Sequence, residues 1–396
     1  MRNVVHRPWH PLVPGVLALV CTAAPAATIH VPGDQPTIQA GIDAAAKRDT
    51  VLVAPGTYFE SVDLRGKVVT LASEAGARST IIDAGQAAAV VSFSDGGSGH
   101  GRRLKHAHVN GFTLRNGLVG VSMKGGYLKV EDCVITGNTQ AAVHAWLANI
   151  DVVHSLIQDN ANDGVVLVTP RRAHIIDNRI ESNGGTGVVL ERPHLTIVAR
   201  NVIRGNSGSK GAGLRTSGPD GADVADNLIV GNHGNDPDVQ AGVYVDGGTK
   251  GFGGGWANNT IVDNGGVQLY MRGNVAPVHL LNNVVASTHG GIAFQCEAAD
   301  GVGGIPTANN NDFWSRAGRA VVGVCKHAME TAPGTLEVDP QFKGSGPGSR
   351  WQLAAGSPLI DAGDNSVAGR ISYDIRGNPR ILGPAADMGA FEFDPS

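Results

Sequence analysis

Aromatic residues are scarce in this chain: 9 Phe, 5 Tyr and 5 Trp among 396 residues. A large globular core normally draws much of its volume from aromatics. Small aliphatic side chains must fill this interior instead, which suits a narrow core repeated many times. Charge is also sparse, with 17% Asp, Glu, Lys and Arg and a formal net charge of −4. No basic run or stripe is present, which argues against a nucleic-acid partner. Beyond the N-terminal segment no apolar run approaches the length of a membrane-spanning helix. The cysteines lack zinc-ligand spacing. Disorder is excluded in turn, because 42% of the residues are hydrophobic.

What the chain does have is glycine, 56 of them, and a repeat. A polar residue, a spacer, an aliphatic residue, two spacers and Asn recur over residues 110–315. Copies include Ser155-Leu156-Ile157-Gln158-Asp159-Asn160, Asn178-Arg179-Ile180-Glu181-Ser182-Asn183 and Asn201-Val202-Ile203-Arg204-Gly205-Asn206. The anchors Ile135, Ile157, Ile180, Ile203, Ile229, Ile261, Val285 and Phe313 are 22, 23, 23, 26, 32, 24 and 28 residues apart. A second run of alternating character follows each Asn, as in Gly187-Val188-Val189-Leu190. Period-two alternation predicts a strand with one buried face. Short strands joined by Asn and Gly turns every two dozen residues predict one coil of a solenoid, with like residues stacked over like. The expected fold is therefore all-β, a single-stranded right-handed parallel β-helix with an N-terminal helical cap. The uneven spacing predicts loops inserted at one corner, and the Asn is expected to adopt left-handed backbone there while bonding its own turn and the next. A leucine-rich repeat does not fit, since its frame is absent, and a propeller would need a longer period.

The ends differ from the middle. Arg2 and Arg7, the apolar stretch Leu12–Val20 and the small residues Ala24-Pro25-Ala26 read as an export leader over residues 1–26. A ragged extension of a cytosolic protein is the plainer alternative, and Cys21 raises a lipid anchor that Val20 disfavours. Residues 27–109 read as a cap and first coils, 110–315 as the coils and 316–396 as last coils and a capping tail. Within the cap, Ile38, Ile42 and Ala45 fall on one face of a predicted helix. Cys296 and Cys325 are a candidate disulfide in an oxidising compartment, and Cys133 is a small core residue.

Thr37-Ile38-Gln39-Ala40-Gly41-Ile42-Asp43-Ala44-Ala45, followed by Asp49-Thr50-Val51-Leu52-Val53-Ala54-Pro55-Gly56-Thr57-Tyr58, resembles the opening of the pectin-lyase-like superfamily. The segments Val338–Phe342, Gly356–Gly363, Asp374–Arg380 and Asp387–Phe393 resemble the tail of bacterial secreted β-helix proteins with a choice-of-anchor ending. The resemblance implies a β-helix. It leaves activity open, because such proteins include lyases, hydrolases, epimerases and non-enzymes. The paired-Asp and Gly-His-Gly pattern of polygalacturonases is absent, as are the Asp-Pro-His-Glu motif of alginate epimerases and the Arg-x-Pro-x-x-Arg stretch of pectate lyases. Asp361, Asp364, Asp374 and Asp387 sit beside Gly, Asn and Pro and read as turn residues, with structural Ca2+ as the sharper alternative.

Alternation also predicts which side chains leave the coil. One outward column is Ser122, His144, Val166, Val189, Arg215, Tyr244, Gln268 and Ala293. A second is Lys124, Trp146, Val168, Glu191, Ser217, Asp246, Tyr270 and Gln295. Such a face is flat and long, which suits an extended polymer. Glu191, Arg215, Tyr244 and Asp246 are the candidate catalytic residues. Glu191 and Asp246, two coils apart, approach the spacing of an inverting glycosidase pair, and Tyr or Arg could abstract the proton beside a uronate carboxylate. His144, Trp146, Arg192, Tyr270 and Arg272 are candidate substrate-binding residues, because Arg pairs with acidic sugars and aromatic faces stack on sugar rings. The partner this predicts is extracellular polysaccharide, preferably acidic, bound or cleaved. A non-enzymatic surface or adhesion solenoid is the alternative.

Overall fold

The computed structural model describes residues 25–395 apart from 87, 96–105, 300, 302, 346–348, 370 and 371, with the side chains of 252, 368 and 369 also set aside. The export leader and Cys21 lie, up to residue 24, outside the described residues. The rest is a right-handed parallel β-solenoid with three faces. The first sheet has 12 strands, from Thr28–Val31 to Thr307–Asn309. The second and third have 11 each, running from Gly56–Tyr58 to Asp312–Ser315 and from Val62–Asp63 to Val321–Gly323. A typical coil is Asn149–Val153, Leu156–Gln158 and Asp163–Val168, one strand per sheet.

The stacking predicted from the repeat is present. Ile135, Ile157, Ile180, Ile203, Ile229, Ile261, Val285 and Phe313 pair in register along the second sheet, and all are buried. Each such side chain contributes roughly 1.5–3 kcal/mol relative to exposure.

Two asparagine ladders hold the corners. One runs Asn138, Asn160, Asn183, Asn206, Asn232, Asn264; the other runs Asn178, Asn201, Asn227, Asn259, Asn283, Asn311. Asn183 Nδ2 donates to Asn206 Oδ1 at 2.9 Å and to Ile157 O at 3.2 Å, while its own Oδ1 accepts from Asn160 N and Nδ2. The bonding is as expected, but the left-handed residue is not the Asn. It is the residue just before, such as Asp159 (φ 53°), Ser182 (φ 57°) or Asp177 (φ 58°). That residue turns the chain, and the amide of the following Asn is aimed along the stack. Loops also enter at more than one corner, mostly at two. The corner between first and second sheets spans two residues in every coil but one, as from Val153 to Leu156 and from Ala225 to Leu228; the exception is the longer connection from Ser73 to Thr80. The other two corners vary, as from Arg204 to Leu214 and from Glu297 to Thr307, and both flank the third sheet.

After the first ladder's Asn the chain needs a small residue. A Cβ on Gly187 would lie 2.8 Å from Ile203 Cγ2 and 2.9 Å from Asn206 Nδ2. Gln268 takes this position three coils later, and its amide ends the ladder: Oε1 accepts from Asn264 N at 2.6 Å.

At the N-terminal end, Thr37 caps the helix Ile38–Ala44 by accepting from Ala40 N, and Ile38 and Ile42 close the core. Near the other end the short helix Lys326–Glu330 follows the last strand of the third sheet, and Cys296 and Cys325 are disulfide-bonded. Cys133 is free and buried, with burial pushing its thiol up to about 11. The tail then turns back along the second sheet. Leu353, Leu359, Met388, Ala390 and Phe391 cover the outward side chains Leu228, Val230, Val262 and Val284. Arg380 is buried beneath it, 2.7 Å from Asp226 and 2.5 Å from Glu392.

Asp312 shows how tightly this covering excludes water. Its Oδ1 accepts from Val338 N at 3.0 Å, its Oδ2 is buried without a partner among the described residues, and burial pushes its pKa up to about 8. The unfolded carboxyl titrates near 4. Between those values the native state keeps a proton that the unfolded chain releases, so stability is lost as pH rises, by about 1.4 kcal/mol per pH unit at most. Asp312→Asn cannot ionise. Thermal melts should show equal Tm for variant and parent near pH 4 and a growing advantage for the variant towards pH 8; parallel Tm curves would contradict a protonated Asp312.

Candidate functional site

The third sheet carries the predicted outward residues, but its register departs from the sequence alignment after Asp246. Val243 pairs with Leu269, Tyr244 with Tyr270 and Asp246 with Arg272. On the next coil Tyr270 pairs with Gln295 and Arg272 with Glu297. The first column therefore continues Arg215, Tyr244, Tyr270, Gln295, and the second continues Ser217, Asp246, Arg272, Glu297. Gln268 and Ala293 belong to the small-residue column instead, and both are buried. The slip arises because Gly266-Val267-Gln268-Leu269 mimics Gly242-Val243-Tyr244-Val245, whereas the ladder-ending role of Gln268 sets the true frame.

The corrected register assembles a tighter group than the sequence suggested. Tyr244 and Tyr270 stack with ring centroids 5.3 Å apart and planes 6° from parallel. Tyr244 Oη donates to Asp246 Oδ2 at 3.4 Å, and Tyr270 Oη to Glu297 Oε2 at 2.5 Å. Gln295 Nε2 holds the other oxygen of Glu297 at 2.6 Å. Asp246, Arg272 and Glu297 thus form a carboxylate, guanidinium, carboxylate column on successive coils about 4.8 Å apart. Val239, Ala241 and Val267 pack around the tyrosine rings, which are 5% and 4% exposed. Burial, then the Asp246 charge, push the Tyr244 hydroxyl above its ordinary range, with Arg272 pulling the other way. Burial, then the bond to Glu297 and its charge, push Tyr270 further up. Both hydroxyls are thereby held protonated. In this state they can offer a proton to a bound group, and Arg272 is likewise held protonated by its contact with Tyr244.

The remaining candidates lie apart. Glu191 is two coils before Asp246, with Ser217 between them. Arg192 is exposed at the corner beyond its strand, in left-handed backbone. Arg215 heads the tyrosine column, and its charge reaches Asp163. His144 and Trp146 lie four coils from Tyr244 and Asp246, about 19 Å away at the strand spacing. There Lys124 Nζ sits 4.6 Å over the Trp146 ring. The face is one long surface with an acidic and aromatic centre at one end and a Lys and Trp contact at the other. Glu297 was missed because the slipped frame placed it outside both columns.

The tail acids take up the turn bonding read from the sequence. Asp364 accepts from Ser366 N, Asp374 from Arg376 N and Asn378 N, Asp387 from Asp361 N and Phe393 N, and Asp361 from Ala385 N. Each of these carboxylates thus takes at least one backbone donor, as turn residues do. Among the described residues no group of three or more His, Cys, Asp or Glu side chains could hold a metal ion.

The family model for a right handed beta helix region matches residues 96–254. Among solved structures, the chain is similar to pectate lyase Pel9A, with 15% identity over 94% of this chain and 97% of that one, at a TM-score of 0.53. It is also similar to the A-module of the mannuronan C-5 epimerase AlgE6 of Azotobacter vinelandii, with 18% identity over 77% and 95% and a TM-score of 0.51. At these identities the likeness is one of fold. A comparison with curated protein sequences gave no match.

Proposed function

We propose that the chain is an exported protein that binds and cleaves an acidic, uronate-containing polysaccharide on the outer face of its third sheet. The observation that carries this reading is the column of Asp246, Arg272 and Glu297 beside two buried tyrosine hydroxyls. Arg272 opposes the carboxylate of a bound uronate. Asp246 or Glu297 takes the proton from the carbon beside that carboxylate. The carbon–oxygen bond to the next sugar breaks, and the leaving oxygen takes the proton of Tyr244 or Tyr270. The product is an unsaturated uronate at the new chain end. Export follows from the leader read at residues 1–26, and the tail's likeness to choice-of-anchor endings supports a surface location. The fold is shared with proteins named for pectate and mannuronan, which agrees with a uronate polymer.

The test is an ultraviolet assay for unsaturated uronates on pectate and alginate, with and without calcium, alongside a reducing-end assay and a pull-down on the same polymers. New ultraviolet absorbance is the expected result. Reducing ends without absorbance would replace elimination by hydrolysis. Retention without cleavage would favour the non-enzymatic surface solenoid, and no retention at all would overturn the polysaccharide reading.

A further inference from the structure

The first sheet has its own outward face, and it is not a plain solvated one. Two adjoining cavities of about 470 and 580 Å³ lie along it, sharing Ile197 and Asp223. These are the volumes of small-molecule sites. Together they cross the strands Arg172–Ile176, Thr196–Ala199, Asp220–Ala225, Phe252–Ala257 and Val278–Leu281. The trough exists because small residues replace large ones at outward positions. Gly255 occupies the column of His174, Ile197, Asp223 and His279, and Ala199, Ala225 and Ala257 occupy the next. The tail supplies one wall through Ser366, Ser372 and Tyr373.

We infer that this trough is a second saccharide-binding groove, separate from the third sheet and built for a neutral oligosaccharide. Its floor is apolar and flat, as the C–H face of a sugar ring requires. Its rims carry hydroxyl partners of both kinds: the carboxylate of Asp223, the imidazoles of His174 and His279, and the tail hydroxyls. The rim charges are spoken for or balanced. Arg200 is bonded to Asp177 through two nitrogens at 2.8 Å each, and His174 lies 2.9 Å from Asp151. Asp226 is held by Arg380 at 2.7 Å. Arg172 is the cation at one end, bonded to His174 at 3.4 Å, and Asp223 is the anion at the centre. A carboxylate, Asp223, stands at the centre of the trough with no guanidinium next to it in its column, so a polyuronate gains nothing here. Tyr373 is 56% exposed on the wall, where a sugar ring can stack.

The test titrates the full chain with neutral hexaoses (cellohexaose, maltohexaose, mannohexaose) and with oligogalacturonate, followed by calorimetry. At least one neutral hexaose should bind. Tyr373→Ala and Ile197→Glu should each weaken it at least tenfold while leaving polyuronate retention unchanged. Arg272→Gln should do the reverse, so failure of this groove and failure of the third-sheet reading are distinguishable. Absence of neutral-hexaose binding, binding indifferent to both first-sheet variants, or oligogalacturonate binding lost with Tyr373→Ala would each overturn the inference.

Discussion

Replacing Asp246 by Asn and Glu297 by Gln in one chain should lower depolymerisation of the uronate polymer at least 100-fold, with its retention reduced far less. Loss of positioned acid–base groups typically removes factors of 10²–10⁴. Both substitutions keep the side-chain shape and an acceptor for Tyr244 and Tyr270, so the stacked tyrosine pair should persist. Steady-state rates by ultraviolet absorbance and affinity by calorimetry separate the two effects. The parallel variant Glu191→Gln, two coils away on the same column, should change the rate little. If it alone silences the protein, the reacting pair is Glu191 with Asp246 and the assignment to Glu297 is wrong.

The second large effect is on stability. Arg380 is 1% exposed and touches Asp226 and Glu392, each also 1% exposed. Burial pushes both carboxyls upward and the Arg380 charge pulls them down. Arg380→Met fills the space and removes the charge, leaving two carboxylates facing each other out of water. Breaking such a buried pair costs about 3–5 kcal/mol. The raised carboxyl pKa values fix the sign: the variant's deficit should be small below pH 4, where both groups are neutral in either state, and grow as pH rises. Urea unfolding at pH 4 and pH 7 measures it, and limited proteolysis should cut residues 351–393 first. A deficit independent of pH would mean that lost packing, not stranded charge, is the cause.

The sequence reveals whatever repeats. Ile157, Ile180 and Ile203 announce the core, Asn160, Asn183 and Asn206 announce the corners, and Ile38 with Ile42 announces the cap. Exceptions to the repeat are what mislead. Gln268 looks outward by analogy with Tyr244, yet it closes a ladder, and every outward residue beyond it shifts by two. The charged face of the first sheet was available in principle. Tyr127-Leu128-Lys129-Val130-Glu131 alternates as cleanly as any third-sheet strand, and its outward members form the chains Tyr127, Asp151, His174 and Lys129, Glu131, His108. Where the tail lies could not be foreseen, because a segment without periodicity says nothing about which strand it will cover. The contact between Arg380 and Asp226 spans 154 residues.

The uneven distribution of loops has an evolutionary consequence. From Gly111 to Asn311 one edge of the prism keeps to two residues per coil, the first in left-handed backbone and, from Asn178 onward, the second a ladder Asn, as Asp177 and Asn178 are. It is a spine. Insertions accumulate on the two edges that border the third sheet, so that face can acquire new walls one coil at a time while the stack beneath stays in register. Diversification of what the groove accepts is therefore cheap in this architecture, and a loop transplanted at residues 233–240 would re-shape the surroundings of Tyr244 without touching the spine.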